Sequence, residues 1–204
     1  MEYDTLLLKC GDGLPSIFMP ELQRGFYIRS YEGETVHSFL VDACCMDEDY
    51  IAEKIKTIII NGGPVDDIFN TGLAGGTTCA VSGAMPGIAG AMMRMGSPYA
   101  PMRESITVKP SGSPESEKEI LVTLKLFNVV MHDLGPDFLK NGILVDKERV
   151  LELFSSHGEE ISSGCRAILF NNVPLDPRIL AGNGPAGISE LVKLKVETEY
   201  ENNS

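Results

Sequence analysis

The chain of 204 residues has no tryptophan, only three histidines, and an aromatic content of 7%. It contains no Cys-x-x-Cys, no His-x-His and no His-Glu-x-x-His, so the common zinc and dithiol arrangements are excluded. Basic residues are scarce: 17 Lys and Arg stand against 29 Asp and Glu, a net charge of −12. No basic patch interrupts this field, so the phosphates of a nucleic acid would be repelled. No apolar run reaches the ~20 residues that span a bilayer; the best, Cys79–Met93, is interrupted by Pro86. The opening residues MEYDT lack the basic and apolar regions of a signal peptide. These absences predict a cytoplasmic protein with neither nucleic-acid nor membrane partners.

What is present is ordinary for a soluble globular chain: 43% hydrophobic and 23% charged residues. The length fits one domain or a closely fused pair, burying about 70% of its unfolded surface. The five cysteines (Cys10, Cys44, Cys45, Cys79 and Cys165) are odd in number and follow no framework, which predicts reduced thiols. Cys44-Cys45 beside Met46 has the softness for a thiophilic metal. Neighbours on a strand point to opposite faces, however, and nine methionines commonly fill irregular core gaps, so no metal is expected.

Read along the chain, residues 3–9 form an opening strand and Gly11-Asp12-Gly13 a turn, with Pro15 and Pro20 opposing regular structure nearby. Phe26–Tyr31 and Thr35–Asp42 read as a hairpin across Glu32-Gly33-Glu34. Asp47 caps a helix whose face is Ile51, Ile55, Ile58 and Ile59, ended by Asn61-Gly62-Gly63-Pro64; Thr57–Ile60 alternatively forms a buried strand. Ser105–Lys109 and Ile120–Met131 alternate as strands that pair across the solvated loop Pro110–Glu117. His132–Pro136 turns the chain, and Pro136 opens a short helix. Asp146 caps a second helix carrying Val150, Leu151, Leu153 and Phe154, followed by a strand at Arg166–Phe170. Val192, Leu194 and Val196 alternate with lysines as a final edge strand. No internal repeat is evident. The sum is α+β: a mainly antiparallel sheet with a few helices packed on it, a single compact unit over residues 1–198 with a subdivision near 97–118, and a disordered tail over 199–204.

One stretch is unlike the rest. Ile68–Met93 holds no charged residue, and seven of the 21 glycines lie between Gly72 and Gly96. Glycine costs folding entropy, so such a cluster needs a reason: backbone turning through positive φ, or something lying close to the backbone. The spacing fits neither a P-loop nor the dinucleotide fingerprint, and Ser82 is not in Gly-x-Ser-x-Gly. The first reading is a ligand loop over residues 72–87. Here Gly75 and Gly76 offer backbone N–H groups, Thr77, Thr78 and Ser82 assist, and Arg94 or Arg103 clamps a small carboxylate- or phosphate-bearing molecule. With Ser82–Met95 helical, Cys79 precedes a helix N-terminus, where a thiol becomes a nucleophile; His132 beside Asp133 is then the base and its orienting partner. The competing place for Cys79 is that of a small buried hydrophobe. Asp66-Asp67 could hold a divalent cation beside a bound phosphate, or cap the turn at Ile68-Phe69. The residues name no reaction and no cofactor.

The second reading is of another class: a non-catalytic, homo-oligomeric subunit or scaffold. The Gly- and Ala-rich helix 82–95 is its interface, and Gly83→Leu is expected to break assembly.

Overall fold

The computed structural model describes residues 3–11, 15–110 and 116–198. The tail at 199–204, the middle of the Pro110–Glu117 loop and most of the Gly11–Gly13 turn lie outside the described residues. In chain order the elements are β1 (Asp4–Cys10), α1 (Pro15–Arg24), β2 (Phe26–Tyr31), α2 (Val36–Ser38) continuing into a π-helical turn at Phe39–Ala43, α3 (Glu48–Lys54), β3 (Thr57–Ile60), β4 (Gly63–Pro64) and β5 (Thr78–Ser82). They continue with α4 (Gly87–Met93), a 3-10 turn at Ala100–Arg103, β6 (Glu119–Phe127), α5 (Asn128–Asn141), β7 (Ile143–Asp146), α6 (Lys147–Gly164), β8 (Cys165–Phe170), β9 (Val173–Pro174), α7 (Pro177–Leu180) and β10 (Leu191–Thr198).

The α+β class holds, and the sheet is mainly antiparallel, mixed with parallel pairs. The chain divides into two compact units, one of Met1–Glu21 with Leu134–Ser204, the other Leu22–Asp133. In the Leu22–Asp133 unit the strand order is β4-β3-β5-β6-β2. Its β5·β6 pair is parallel and its other pairs are antiparallel. In the other unit the order is β9-β8-β1-β10-β7, with β1·β10 parallel and the remaining pairs antiparallel. The two units therefore repeat one five-stranded pattern, element for element and sense for sense. No repeat was evident in the sequence because β5 is supplied from the middle of its unit, whereas its counterpart β1 comes from the start of the chain.

Each unit buries one face of its sheet. Leu6, Leu8, Val192 and Leu194 are within 1% of fully buried in the first unit, and Val81, Val122, Leu124 and Leu126 are fully buried in the second. Each such side chain contributes about 1.5–3 kcal/mol relative to exposure.

Several expectations are corrected. Thr35–Asp42 is helical rather than a strand, so β2 pairs with β6 instead of forming a hairpin. Thr35 caps this helix by accepting the Ser38 N–H, and the buried set Val36, Phe39 and Leu40 falls at i, i+3, i+4. The helix capped by Asp47 stops at Lys54, and Thr57–Ile60 is the buried strand of the alternative reading. Asn61-Gly62 turns a β3–β4 hairpin and does not end a helix. Ser105–Lys109 forms no strand. His132–Pro136 does not break the chain: α5 runs through it, keeping Met131, Gly135 and Leu139 buried and Pro136 exposed. Pro15 and Pro20 are both accommodated in α1. β10 is not an edge strand; it lies between β1 and β7.

Candidate functional site

The glycine-rich stretch is a loop, a strand and a short helix. Five of its amides between Leu73 and Thr78 are bonded within the chain; among the bonds described, the exposed Gly75 N–H has none. Leu73 N donates to Glu34 O at 2.8 Å, Ala74 N to Thr77 Oγ1 at 3.2 Å, Gly76 N to Leu121 O at 3.0 Å, Thr77 N to Ala74 O at 3.0 Å, and Thr78 N to Asn61 Oδ1 at 2.8 Å. Thr77 is buried, and from Thr78 onward the chain is β5, hydrogen-bonded on both sides. Gly75 and Gly76 are exposed at the turn, Gly76 with φ +79°. Two other glycines answer to close packing inside the unit. A Cβ on Gly83 would lie 2.5 Å from Val129 Cγ1, and one on Gly90 would run into the Met85 carbonyl.

The strand assignment changes the setting of Cys79. It lies in the middle strand of its unit, opposite Ile60 on β3 and Leu124 on β6, fully buried. The nearest following helix starts only at Gly87, so the helix N-terminus expected just after Cys79 is not there. Burial pushes it up to about 12, the opposite of activation. His132 and Asp133 are exposed neighbours on α5; successive helical residues diverge, and Asp133 Oδ2 accepts the Tyr50 hydroxyl at 2.9 Å. Burial, then this bond, raises the Tyr50 phenol. No contact among those described brings His132 to Cys79. Ser82 is buried at the end of β5, where its Oγ accepts Asn128 Nδ2 at 2.8 Å.

The two arginines differ. Arg94 is exposed. Arg103 is 2% exposed and its guanidinium is fully engaged. It grips both oxygens of Asp66 at 2.8 and 3.0 Å. It also donates to Met92 O at 2.5 Å, Arg94 O at 3.0 Å and Thr107 Oγ1 at 2.8 Å. Asp66 in turn accepts Gly96 N at 3.1 Å. The Arg103 guanidinium holds the Asp66 carboxyl below the usual carboxylate range. This buried clamp fastens the end of α4 and the 3-10 turn to the segment after β4. Asp67 caps a turn, accepting Phe69 N and Asn70 N, the second of the two readings given for the Asp66-Asp67 pair.

Hollows open elsewhere among the described residues. One of about 620 Å³ lies beside His157, where α6 leaves helical geometry, and is bordered by Glu160, Ser162 and Arg178. Arg178 is held by Asp176. Another, of about 860 Å³, is acidic, with Glu34, Asp42, Glu117 and Glu119 around Tyr31 and Ser38. A third, of about 530 Å³, lies between Asn61–Gly63 and Ser105–Val108. None includes Cys79, His132, Asp133, Gly75, Gly76, Thr77, Thr78, Ser82, Arg94 or Arg103. Among the described residues no group of three or more His, Cys, Asp or Glu side chains is placed to hold a metal ion, and no helix is long and apolar enough to cross a membrane.

The feature that sequence reading underweighted is an apolar surface. Ile88 on α4 is 81% exposed, Met102 on the adjoining 3-10 turn 71%, and Tyr99 just before it 51%. Ala84, Pro86 and Ala89, near Ile88 in the chain, are also exposed, and no charge occurs from Ile68 until Arg94. The signal was in the sequence, as a charge-free run, but it was read for its backbone rather than for its side chains. Comparison with family models, with curated proteins and with solved structures finds no match to this chain.

Proposed function

We propose that this protein is a self-associating subunit, and that the apolar surface of α4 and the following 3-10 turn is where one copy meets another. The observation that carries the reading is Ile88, four-fifths exposed on a helix without charges. Large apolar patches on a soluble surface mark interaction sites. The choice of a second copy as occupant rests on charge. At net −12, two copies repel each other over most of their surface. Ile88 lies in Ile68–Met93, which carries no charge at all, so α4 offers self-contact without like-charge repulsion. Glycines 83 and 90 serve packing within the unit, so the interface consists of Ile88, Tyr99 and Met102 and not of a small-residue seam.

Light scattering on the eluting protein tests this. The expected result is a dimer or larger species at micromolar concentration, converted to monomer by Ile88→Glu with Met102→Glu. A monomeric unmodified chain, or a double variant that stays assembled, overturns it. The competing proposal, a small anion at residues 72–87, needs outward-facing amides and an available arginine. Its own readout is a rise in melting temperature with phosphate or a dicarboxylate.

A further inference from the structure

We propose that Cys10 and Cys165 are a reversible thiol–disulfide pair that fastens the end of β1 to the start of β8. The two residues face each other across the antiparallel β1·β8 ladder. The register there shifts: Lys9 faces Ala167 and Cys10 faces Cys165, so Arg166 is the extra residue of a bulge. Just beyond, Gly11 N donates to Gly164 O at 3.0 Å and keeps the strand ends together. The result is a sulfur–sulfur separation of 2.6 Å between residues 155 apart in the chain. A covalent disulfide needs about 2.05 Å, so closing the bond asks for roughly half an ångström of movement. Neither strand has to leave its ladder. The odd cysteine count hid this pair in the sequence, because only the β1·β8 pairing brings the two together.

The two thiols have distinct tasks. Cys10 is 1% exposed, whereas Cys165 is partly exposed and open to a small reagent. Either sulfur of the pair can donate to the other; the shared proton favours the thiolate on the more exposed Cys165 and the thiol on the buried Cys10. With a low-molecular-weight disulfide of the glutathione class as oxidant, the Cys165 thiolate attacks one sulfur of the reagent and expels the first thiolate. Cys10 then gives up its proton and attacks Cys165 Sγ in the mixed disulfide, expelling the second thiolate. Two protein thiols are oxidised to one disulfide, one reagent disulfide is reduced to two thiols, and the two protons pass to the leaving groups. The bond closes a long loop of the unfolded chain, so the oxidised form is the more heat-resistant one.

The full-length native protein is incubated at about pH 8 with excess oxidised glutathione, quenched with acid, unfolded and alkylated. Cys10 and Cys165 are expected to lose their thiols together, leaving the buried Cys44 and Cys79 free and the exposed Cys45 free or as its own glutathione adduct. Peptide mapping should show a Cys10–Cys165 link, dithiothreitol should restore all five, and the melting midpoint of the oxidised form should rise by roughly 5–10 °C. Cys165→Ala should keep its Cys10 thiol under the same treatment. The map of the unmodified chain decides the matter even where that variant folds poorly. Persistence of all five thiols, a link that joins other cysteines, or a glutathione adduct at Cys165 that never resolves overturns the proposal.

Discussion

Asn61 and Asn171 make the same pair of hydrogen bonds in the two units. Asn61 N donates to Thr78 O at 2.9 Å, and Asn61 Oδ1 accepts Thr78 N at 2.8 Å. Asn171 N donates to Thr5 O at 2.8 Å, and Asn171 Oδ1 accepts Thr5 N at 2.9 Å. Both asparagines have φ +49° and are followed by a residue of positive φ, Gly62 or Asn172. That is the backbone of a tight two-residue hairpin turn. Pro64-Val65-Asp66 and Pro174-Leu175-Asp176 follow, with Val65 N bonded to Ile58 O and Leu175 N to Ile168 O, each at 2.9 Å. The asparagine amide thus ends a hairpin and fixes the neighbouring strand in one gesture, twice in the chain.

Asn61→Ala and Asn171→Ala are each expected to lower stability by about 1–2 kcal/mol. Roughly 1 kcal/mol is the lost hydrogen bond and the remainder the cost of a left-handed backbone for alanine. Asn→Gly at either position removes the bond without the strain and should cost less than Asn→Ala. Urea unfolding followed by circular dichroism measures both. A glycine variant less stable than the alanine variant at the same site would show that the positive φ is not what asparagine is there to supply.

The Asp66–Arg103 clamp is asymmetric, and its variants should be too. The Arg103 side chain is 1% exposed and that of Asp66 33%. Asp66→Ala leaves a buried guanidinium without its counter-charge, a loss of roughly 3–5 kcal/mol by analogy with other broken buried pairs. Arg103→Met leaves a carboxylate that reaches water, and should cost less. Because the Asp66 carboxyl is held below its unfolded value, near 3.9, its contribution is fully present above that value and is lost as pH falls through the folded one. The gap in melting temperature between the unmodified chain and Asp66→Ala should therefore narrow from about pH 5 downward. A gap constant to about pH 2 would mean the pair contributes nothing through ionisation.

The buried Cys79 thiol, pushed up to about 12, should resist labelling. In the native protein at about pH 8, an aromatic disulfide reagent should modify the exposed Cys45 and the partly exposed Cys165 first. Cys79 should react only at the rate of unfolding, and Cys79→Ser should leave the fast labelling phase unchanged. A fast phase lost in Cys79→Ser would restore the nucleophile reading.

Local signals carried far in this chain and tertiary ones did not. The Asp47 cap, the face of Val150, Leu153 and Phe154, and the strand around Arg166–Phe170 were all legible, because capping and periodicity act within a few residues. Val36–Ala43 misled because His37, Phe39 and Val41 alternate, while the stronger set Val36, Phe39 and Leu40 is helical. Pro136 reads as the start of a new helix after a turn; it lies instead inside α5, on the exposed side, where the helix continues at the cost of a hydrogen bond. The lysines of β10 suggested an edge, yet Lys193 and Lys195 lay their stems over Gly142. The glycine-rich stretch was picked out correctly as unusual, but the atoms that explain Gly83 and Gly90, on Val129 and Met85, are fixed only by the fold. Nothing within Asp66 or Arg103 announces a clamp across 37 residues of chain.

Gly83 and Ile88 separate folding from assembly. Both fall in the helix first read as an interface, and Gly83→Leu was the variant expected to break it. Gly83 is buried, and any side chain there meets Val129 Cγ1 at 2.5 Å. Val129 belongs to α5, so relief requires moving that helix away from the end of β5. Overpacking of this kind costs about 1–3 kcal/mol, and more where backbone must shift. Gly83→Leu should therefore lower the melting temperature by several degrees whether or not the protein assembles, and its oligomeric state says little by itself. Ile88 faces solvent within its own chain, so Ile88→Glu should leave the unfolding free energy of the isolated chain within about 0.5 kcal/mol. In the assembly the same change buries an unpaired carboxylate in each copy and adds to an already negative surface. Sedimentation velocity across a concentration series should show the association constant of Ile88→Glu falling by at least tenfold, with its far-ultraviolet dichroism unchanged. A Gly83→Leu protein that melts like the unmodified chain would contradict the packing described for Val129. An Ile88→Glu protein that associates with undiminished strength would place the contact between copies somewhere other than α4.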